Sequence, residues 1–155
     1  SDLIMTFLKT LDRQREFLSM TSEMAERYLN EGFSGGEKKR NEILQMMMIQ
    51  PKIAILDEID SGLDIDALKV VSRGVNHMRS DNFGTLMITH YQRLLDYIVP
   101  DFVHVMMGGK IVKTGTADLA KKLELEGYAG LRDELGLDIV LTDEDADRLV
   151  AVKHE

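Results

Sequence analysis

Ile53-Ala54-Ile55-Leu56-Asp57-Glu58 is the stretch whose reading decides the fold, and Ser61-Gly62-Leu63-Asp64 follows it closely. An apolar run of this length, ended abruptly by two carboxylates, reads as a buried strand of a parallel sheet. Acids are costly to bury, so Asp57 and Glu58 belong where the strand emerges. In open α/β sheets that carboxyl end is where ligands bind. One acid holding a hydrated Mg2+ while a second orients water is an arrangement suited to nucleotide hydrolysis. The alternative is a strand that ends in a solvated acidic turn, and Asp-Glu alone does not choose between the two.

Outward from this strand the pattern is strands separated by helices. Residues 1–30 read as helical, with Leu3, Ile4, Phe7, Leu8 and Leu11 at helical spacing. Asn30-Glu31-Gly32 punctuates them. Ser34 and Glu37 form a capping-box pattern that opens a second helix, carried by Ile43, Leu44, Met47 and Met48 and stopped by Pro51. After the 52–56 strand, a helix is expected over about 65–79, with Ala67, Leu68, Val71, Val75 and Met78 on its inner side. Thr85–Thr89 reads as a second buried strand ending at His90, followed by a short helix carrying Leu94, Leu95, Tyr97 and Ile98. Phe102–Met106 reads as a third strand, and Gly108-Gly109 as a hairpin turn into Lys110–Lys113. A helix over about 116–126 follows. The fold class is α/β, a parallel sheet with a hairpin at one edge.

Composition narrows the function. The chain has 155 residues, enough for one domain with a real core. Its net charge of −8 argues against a general nucleic-acid surface. There is no cysteine, which excludes disulfides, thiolate metal sites and a cysteine nucleophile. No apolar run approaches the roughly 20 residues that span a bilayer, and Asp2, Lys9 and Asp12 interrupt any leader-like segment. The ten methionines fit an adaptable core better than a ligand site. Residues 131–155 hold eight acids against three bases and read as an exposed acidic tail, with a short helix near 143–152.

Four elements around the strand could carry chemistry: Phe33-Ser34-Gly35-Gly36-Glu37-Lys38, Leu56-Asp57-Glu58, Ser61-Gly62-Leu63-Asp64 and Thr89-His90. Ser34, Gly35 and Gly36 offer a hydroxyl and backbone N–H groups at the positive end of a helix, which suits an anion. Each element also has a plain alternative. Ser-Gly-Gly-Glu can be only a helix cap, Asp64 can cap the next helix, and a histidine after a strand has many structural uses. Caps do not explain all four in this order.

The set resembles the second half of an ABC-type ATPase nucleotide-binding domain. Phe33–Lys38 is similar to that family's signature motif, Ile53–Glu58 to its Walker B strand with catalytic glutamate, Ser61–Asp64 to its D-loop and His90 to its switch histidine. The resemblance covers about residues 1–130 and implies a P-loop NTPase fold, a three-layer parallel sheet with a helical subdomain, represented by its C-terminal part. Residues 1–50 would then end the helical subdomain, 51–130 would belong to the nucleotide-binding core and 131–155 would be the tail. Glu37–Met46, Asp57–Lys69 and Thr89–Leu95 further resemble the SufC group of ATPases of the SUF iron–sulfur cluster assembly machinery. That implies a cytoplasmic ATPase using Mg-ATP, partnered with SufB/SufD-like scaffold proteins and self-associating through a composite nucleotide site, with no nucleic acid and no direct membrane insertion. An ABC transporter ATPase and a non-catalytic, protein-binding remnant are the alternatives.

The roles the resemblance implies are specific. Asp57 would bind Mg2+, Glu58 would be the general base and His90 would contact the γ-phosphate and hold the water in line. Ser34, Gly35, Gly36 and Glu37 would face nucleotide on the partner subunit, and Asp64 would lie at the dimer interface. Departing from the family, the sequence contains no G-x-x-x-x-G-K-[ST] loop to cradle the phosphates. The expectation is therefore the C-terminal part of a longer protein, opening in mid-helix, that is inactive alone and leaves apolar sheet edges exposed.

Overall fold

A computed structural model describes residues 2–27, 31–89, 91–137 and 149–152. They fall into two compact units, one of residues 1–52 and 61–80 and the other of residues 53–60 and 81–155.

The first unit is helical: α1 (Asp2–Phe17), α2 (Ser22–Glu26), α3 (Gly35–Ile49) and α4 (Ile65–His77). The single helical stretch expected over 1–30 is broken after Phe17, where Ser19 takes a left-handed backbone with φ 53°. Three guanidinium groups cap the reversal by taking its carbonyls. Arg15 Nη1 donates to Met20 O at 2.8 Å, Arg40 Nη1 to Ser19 O at 3.2 Å, and Arg73 to Phe17 O while lying 4.9 Å over the Phe17 ring. α3 begins and ends as its sequence directs, with a complete capping box at Ser34/Glu37 and a left-handed Gln50 before Pro51. The core is Leu18, Met24, Ile43, Leu44, Met47, Leu68, Val71 and Val75. α3 and α4 approach closely at Gly74, where a Cβ would come within 2.5 Å of Ile43 Cγ2. α1 buries none of its residues; Leu3, Ile4, Phe7 and Leu8 are exposed.

The second unit is a five-stranded sheet in the order β1-β2-β5-β3-β4, with helices α5 (Gln92–Tyr97) and α6 (Ala117–Glu134). β1 (Ile53–Asp57) and β2 (Gly84–Thr89) pair in parallel, from Ile53↔Gly84 to Asp57↔Ile88. β3 (Phe102–Met107) and β4 (Lys110–Gly115) form the expected hairpin. Its two-residue loop, Gly108-Gly109, has φ of 53° and 73°, which only glycine adopts freely. β5 (Leu149–Val152) lies antiparallel to both β2 and β3. The sheet is thus mixed, not purely parallel: among the described residues only β1 and β2 are hydrogen-bonded in parallel, because a hairpin closes one side and β5 enters against the direction of its neighbours.

Registers place Leu56, Met87 and Val103 on one face of the sheet, where α6 packs. Gly115 lets Leu119 approach that face, since a Cβ there would lie 3.1 Å from the leucine side chain. On the opposite face, Ile53 and Ile55 are 74% and 67% exposed. β1 therefore alternates rather than being buried throughout, as its unbroken apolar run suggested.

α6 extends beyond the expected 116–126 helix. Gly127, with φ 73° and ψ 169°, kinks it, and the helix resumes to Glu134 with Leu131 buried. Lys122 and Lys113 hold Glu134 at 2.6 and 3.0 Å, tying the second segment to the first and to β4. These bonds, Lys122 first, pull the Glu134 carboxyl from 4.5 down to about 2. Of the helix expected at 143–152, the last four residues are strand β5, and 143–148 lie outside the described residues. Among the described residues, no helix is long and apolar enough to cross a membrane.

Candidate functional site

In the helical unit, Ser34 and Glu37 satisfy each other. The Ser34 N–H donates to Glu37 Oε2 at 2.8 Å, and the Glu37 N–H to Ser34 Oγ at 3.3 Å. The bond from the Ser34 N–H is the main reason the Glu37 carboxyl sits below its usual range. The first turn of α3 is thereby fixed with Ser34 and Gly35 at the surface and Gly36 half-buried. A Cβ on Gly36 would stand 3.5 Å from Ala67 Cβ and 4.0 Å from Leu63 Cδ2, so the starts of α3 and α4 are neighbours. Asp64 opens α4, its Oδ1 accepting from the Ala67 N–H at 2.7 Å. The structure thus brings Ser34, Gly35, Gly36, Glu37 and Asp64 to adjoining helix N-termini. There the backbone N–H groups of the first turns and the helix dipole favour an anion. The capping roles weighed for Ser34 and Asp64 are both realised, and they leave Gly35 and the Ser34 face open.

In the sheet unit, β1 delivers Asp57 exposed at its carboxyl end, beside the end of parallel β2. Glu58 follows with φ 47°, a left-handed conformation that a residue with a side chain keeps only when its surroundings hold it. One such hold is a backbone bond: the Glu58 N–H donates to Ile88 O at 2.9 Å, at the end of the β1/β2 ladder. The turn points the two consecutive carboxylates differently, Asp57 in solvent and Glu58 half-buried. His90 lies outside the described residues.

Two polar residues to which the sequence assigned no role of their own, Asp60 and Thr89, lie beside this turn. Asp60 and Thr89 are 5% and 0% exposed. Thr89 Oγ1 donates to Asp60 Oδ2 at 2.9 Å and accepts from the Tyr91 N–H at 3.0 Å. The only sequence signal for Asp60 was an acid directly after Ile59, and it named no partner.

A metal would have to be held largely by its own ligands. Among the described residues, no group of three or more His, Cys, Asp or Glu could hold an ion. Mg2+ asks less than that, since it keeps several waters and commonly takes one or two carboxylates together with substrate phosphates. An exposed aspartate at a strand end, a hard oxygen donor with room for water around it, fits that requirement.

No family model matches the chain. Among curated proteins it is 71% identical, over 135 residues, to "Vegetative protein 296" of Bacillus subtilis, covering 87% of this chain and 52% of that protein. It is 67% identical over 132 residues to a "Probable ABC transporter ATP-binding protein" of Streptococcus pyogenes, covering 85% and 52%. It is 55% identical over 127 residues to the "Probable ATP-dependent transporter ycf16" of Trieres chinensis, covering 82% and 51%. These relatives support the C-terminal part of an ABC-type ATPase. The chain spans about half the length of the curated relatives it matches.

Proposed function

We propose that this chain is part of an ATP-hydrolysing subunit of the ABC class, acting in iron–sulfur cluster assembly as SufC-type ATPases do. The observation that carries the reading is the placement of Asp57 and Glu58 at the carboxyl end of the parallel β1/β2 pair, with Glu58 held in a left-handed turn. The relatives named for ATP binding or ATP-dependent transport support the nucleotide. The SufC resemblance of Glu37–Met46 and Asp57–Lys69 supports the assembly role.

In this reading Asp57 would hold Mg2+ through water, and the ion would neutralise phosphate charge when bound. Glu58 takes a proton from the attacking water, and His90 helps keep that water in line with the γ-phosphate. Ser34, Gly35, Gly36 and Glu37 meet the γ-phosphate of nucleotide carried by a second copy, and Asp64 lies at that interface. Such positioning and charge stabilisation provide most of the catalysis in phosphoryl transfer. The phosphate-cradling loop comes from sequence beyond this chain, which by itself neither binds Mg-ATP tightly nor turns it over. SufB/SufD-like scaffold proteins are the partners.

The test joins this chain to the remaining half of the Bacillus subtilis relative and measures phosphate release. The joined protein hydrolyses ATP, and Glu58→Gln lowers kcat by about 100-fold or more, the scale of a lost general base. Equal rates with and without Glu58 would sink the assignment. A second reading, the ATPase of a membrane transporter, is favoured by the printed names of the Streptococcus and Trieres relatives. Co-purification separates the two: SufB/SufD-like proteins for the first, a membrane permease for the second.

A further inference from the structure

We propose that Asp60 and Thr89 are positioning residues for the hydrolytic turn: their buried bond sets where the Glu58 carboxylate is held. This rests on the ATPase reading above. The argument begins with cost. A carboxylate that is 5% exposed must find strong partners, and a charge-assisted bond from a fully buried hydroxyl is one. A hydroxyl has one proton and two lone pairs. Here the proton goes to Asp60 at 2.9 Å and a lone pair takes the Tyr91 N–H at 3.0 Å. Thr89 therefore joins the turn after β1 to the backbone that leaves β2, across 29 residues of sequence.

Placement gives the bond its role. Glu58 sits between two ties to the same strand end, its own N–H on Ile88 O at 2.9 Å and, two residues later, Asp60 on Thr89. Its backbone has a φ of 47°, which relaxes when the constraint on either side is released. Loss of the Asp60–Thr89 bond removes the tie on the C-terminal side of Glu58 and loosens the turn there. A general base must hold its carboxylate within hydrogen-bond reach of the attacking water, and displacement by about an ångström can cost about 100-fold in rate. Both partners are buried, so the bond acts through Glu58 and affects turnover rather than nucleotide affinity.

The experiment uses the joined ATPase described above, with Thr89→Val, Thr89→Ser, Asp60→Asn and Glu58→Gln. Valine keeps the shape of threonine and removes both bonds; it lowers kcat at least tenfold while KM for ATP stays within twofold. Serine restores the hydroxyl and returns kcat to within about twofold of the parent. Asparagine keeps the acceptor but not the charge and gives an intermediate loss of about threefold. If Thr89→Val does not fold, the serine and asparagine variants decide alone, and an unchanged rate in Asp60→Asn overturns the proposal. Parent-like turnover in Thr89→Val together with an inactive Glu58→Gln overturns the positioning role and leaves the ATPase reading standing. Parent-like turnover in Glu58→Gln removes the ATPase reading itself.

Discussion

Gly74→Ala tests how tightly the two helices that carry the signature turn and Asp64 are joined. In an exposed helix interior the change stabilises by about 1 kcal/mol, because alanine loses less backbone freedom on folding. At Gly74 the new Cβ falls 2.5 Å from Ile43 Cγ2, 2.9 Å from Leu18 Cδ2 and 3.5 Å from Met47 Sδ. Carbon atoms in good contact stand about 3.5–4.0 Å apart. Ile43 and Leu18 are 3% and 0% exposed, so neither can swing into solvent. Overpacking of this kind costs about 1–3 kcal/mol, and two such short contacts place it in the upper half of that range. The net expectation is a loss of about 1–2 kcal/mol, read from urea unfolding followed by circular dichroism. A double-mutant cycle sharpens it. Ile43→Ala alone costs about 2–5 kcal/mol, but in its presence the methyl at 74 keeps only the short 2.9 Å contact with Leu18, so Gly74→Ala costs less than it does in the parent. A Gly74→Ala protein as stable as the parent, or additive effects in the cycle, would refute the close approach of α3 and α4.

The adjoining glycines should behave in the opposite way. A Cβ at Gly35 meets nothing within 4 Å and one at Gly36 makes an ordinary 3.5 Å contact, so Gly35→Ala and Gly36→Ala leave the unfolding midpoint unchanged or slightly raised. Under the proposed ATPase reading the same variants lower turnover in the joined ATPase, because the added methyls would crowd backbone that approaches phosphate; full activity in both would remove these residues from the site. Asp64→Ala loses the cap on Ala67 and about 1 kcal/mol of stability, measured by the same urea titration. The Glu134 carboxyl, held at about 2 in the folded chain against 4.5 ordinarily, stabilises the fold above pH 4.5 and loses that contribution as pH falls from 4.5 towards 2. Lys122→Met removes its principal partner, so the acid limb of a pH–stability curve moves up towards 4.5.

What could be read from sequence was what local chemistry decides. Ser34 and Glu37 announce their helix because a capping box is complete within four residues, and Gly108-Gly109 announces its hairpin because two positive φ angles in a row need glycine. The unbroken apolar run of β1 identified a strand but read as buried on both faces, whereas Ile53 and Ile55 are exposed on one of them, because an apolar run carries no mark of which face is covered. Leu149-Val150-Ala151-Val152 was hidden for a related reason: four apolar residues beside an acidic run have no period long enough to separate strand from helix. Gly127 looked like the end of a helix and proved to be a kink, since Leu131 had a core to reach beyond it. In the candidate site, the residue types at positions 34–37, 57, 58 and 64 were legible. The Asp60–Thr89 bond was not, because a partner 29 residues away leaves no mark on either neighbourhood.

The two margins of the sheet are unlike each other. β4 carries Lys110 and Lys113, charged residues of the kind that discourage another strand from adding on. β1, at the other margin, presents Ile53 and Ile55 to solvent. Ile53 and Ile55 project from one face of β1, and under the reading proposed above their cover falls to sequence beyond this chain, which makes that face the place where the two halves of the subunit would join.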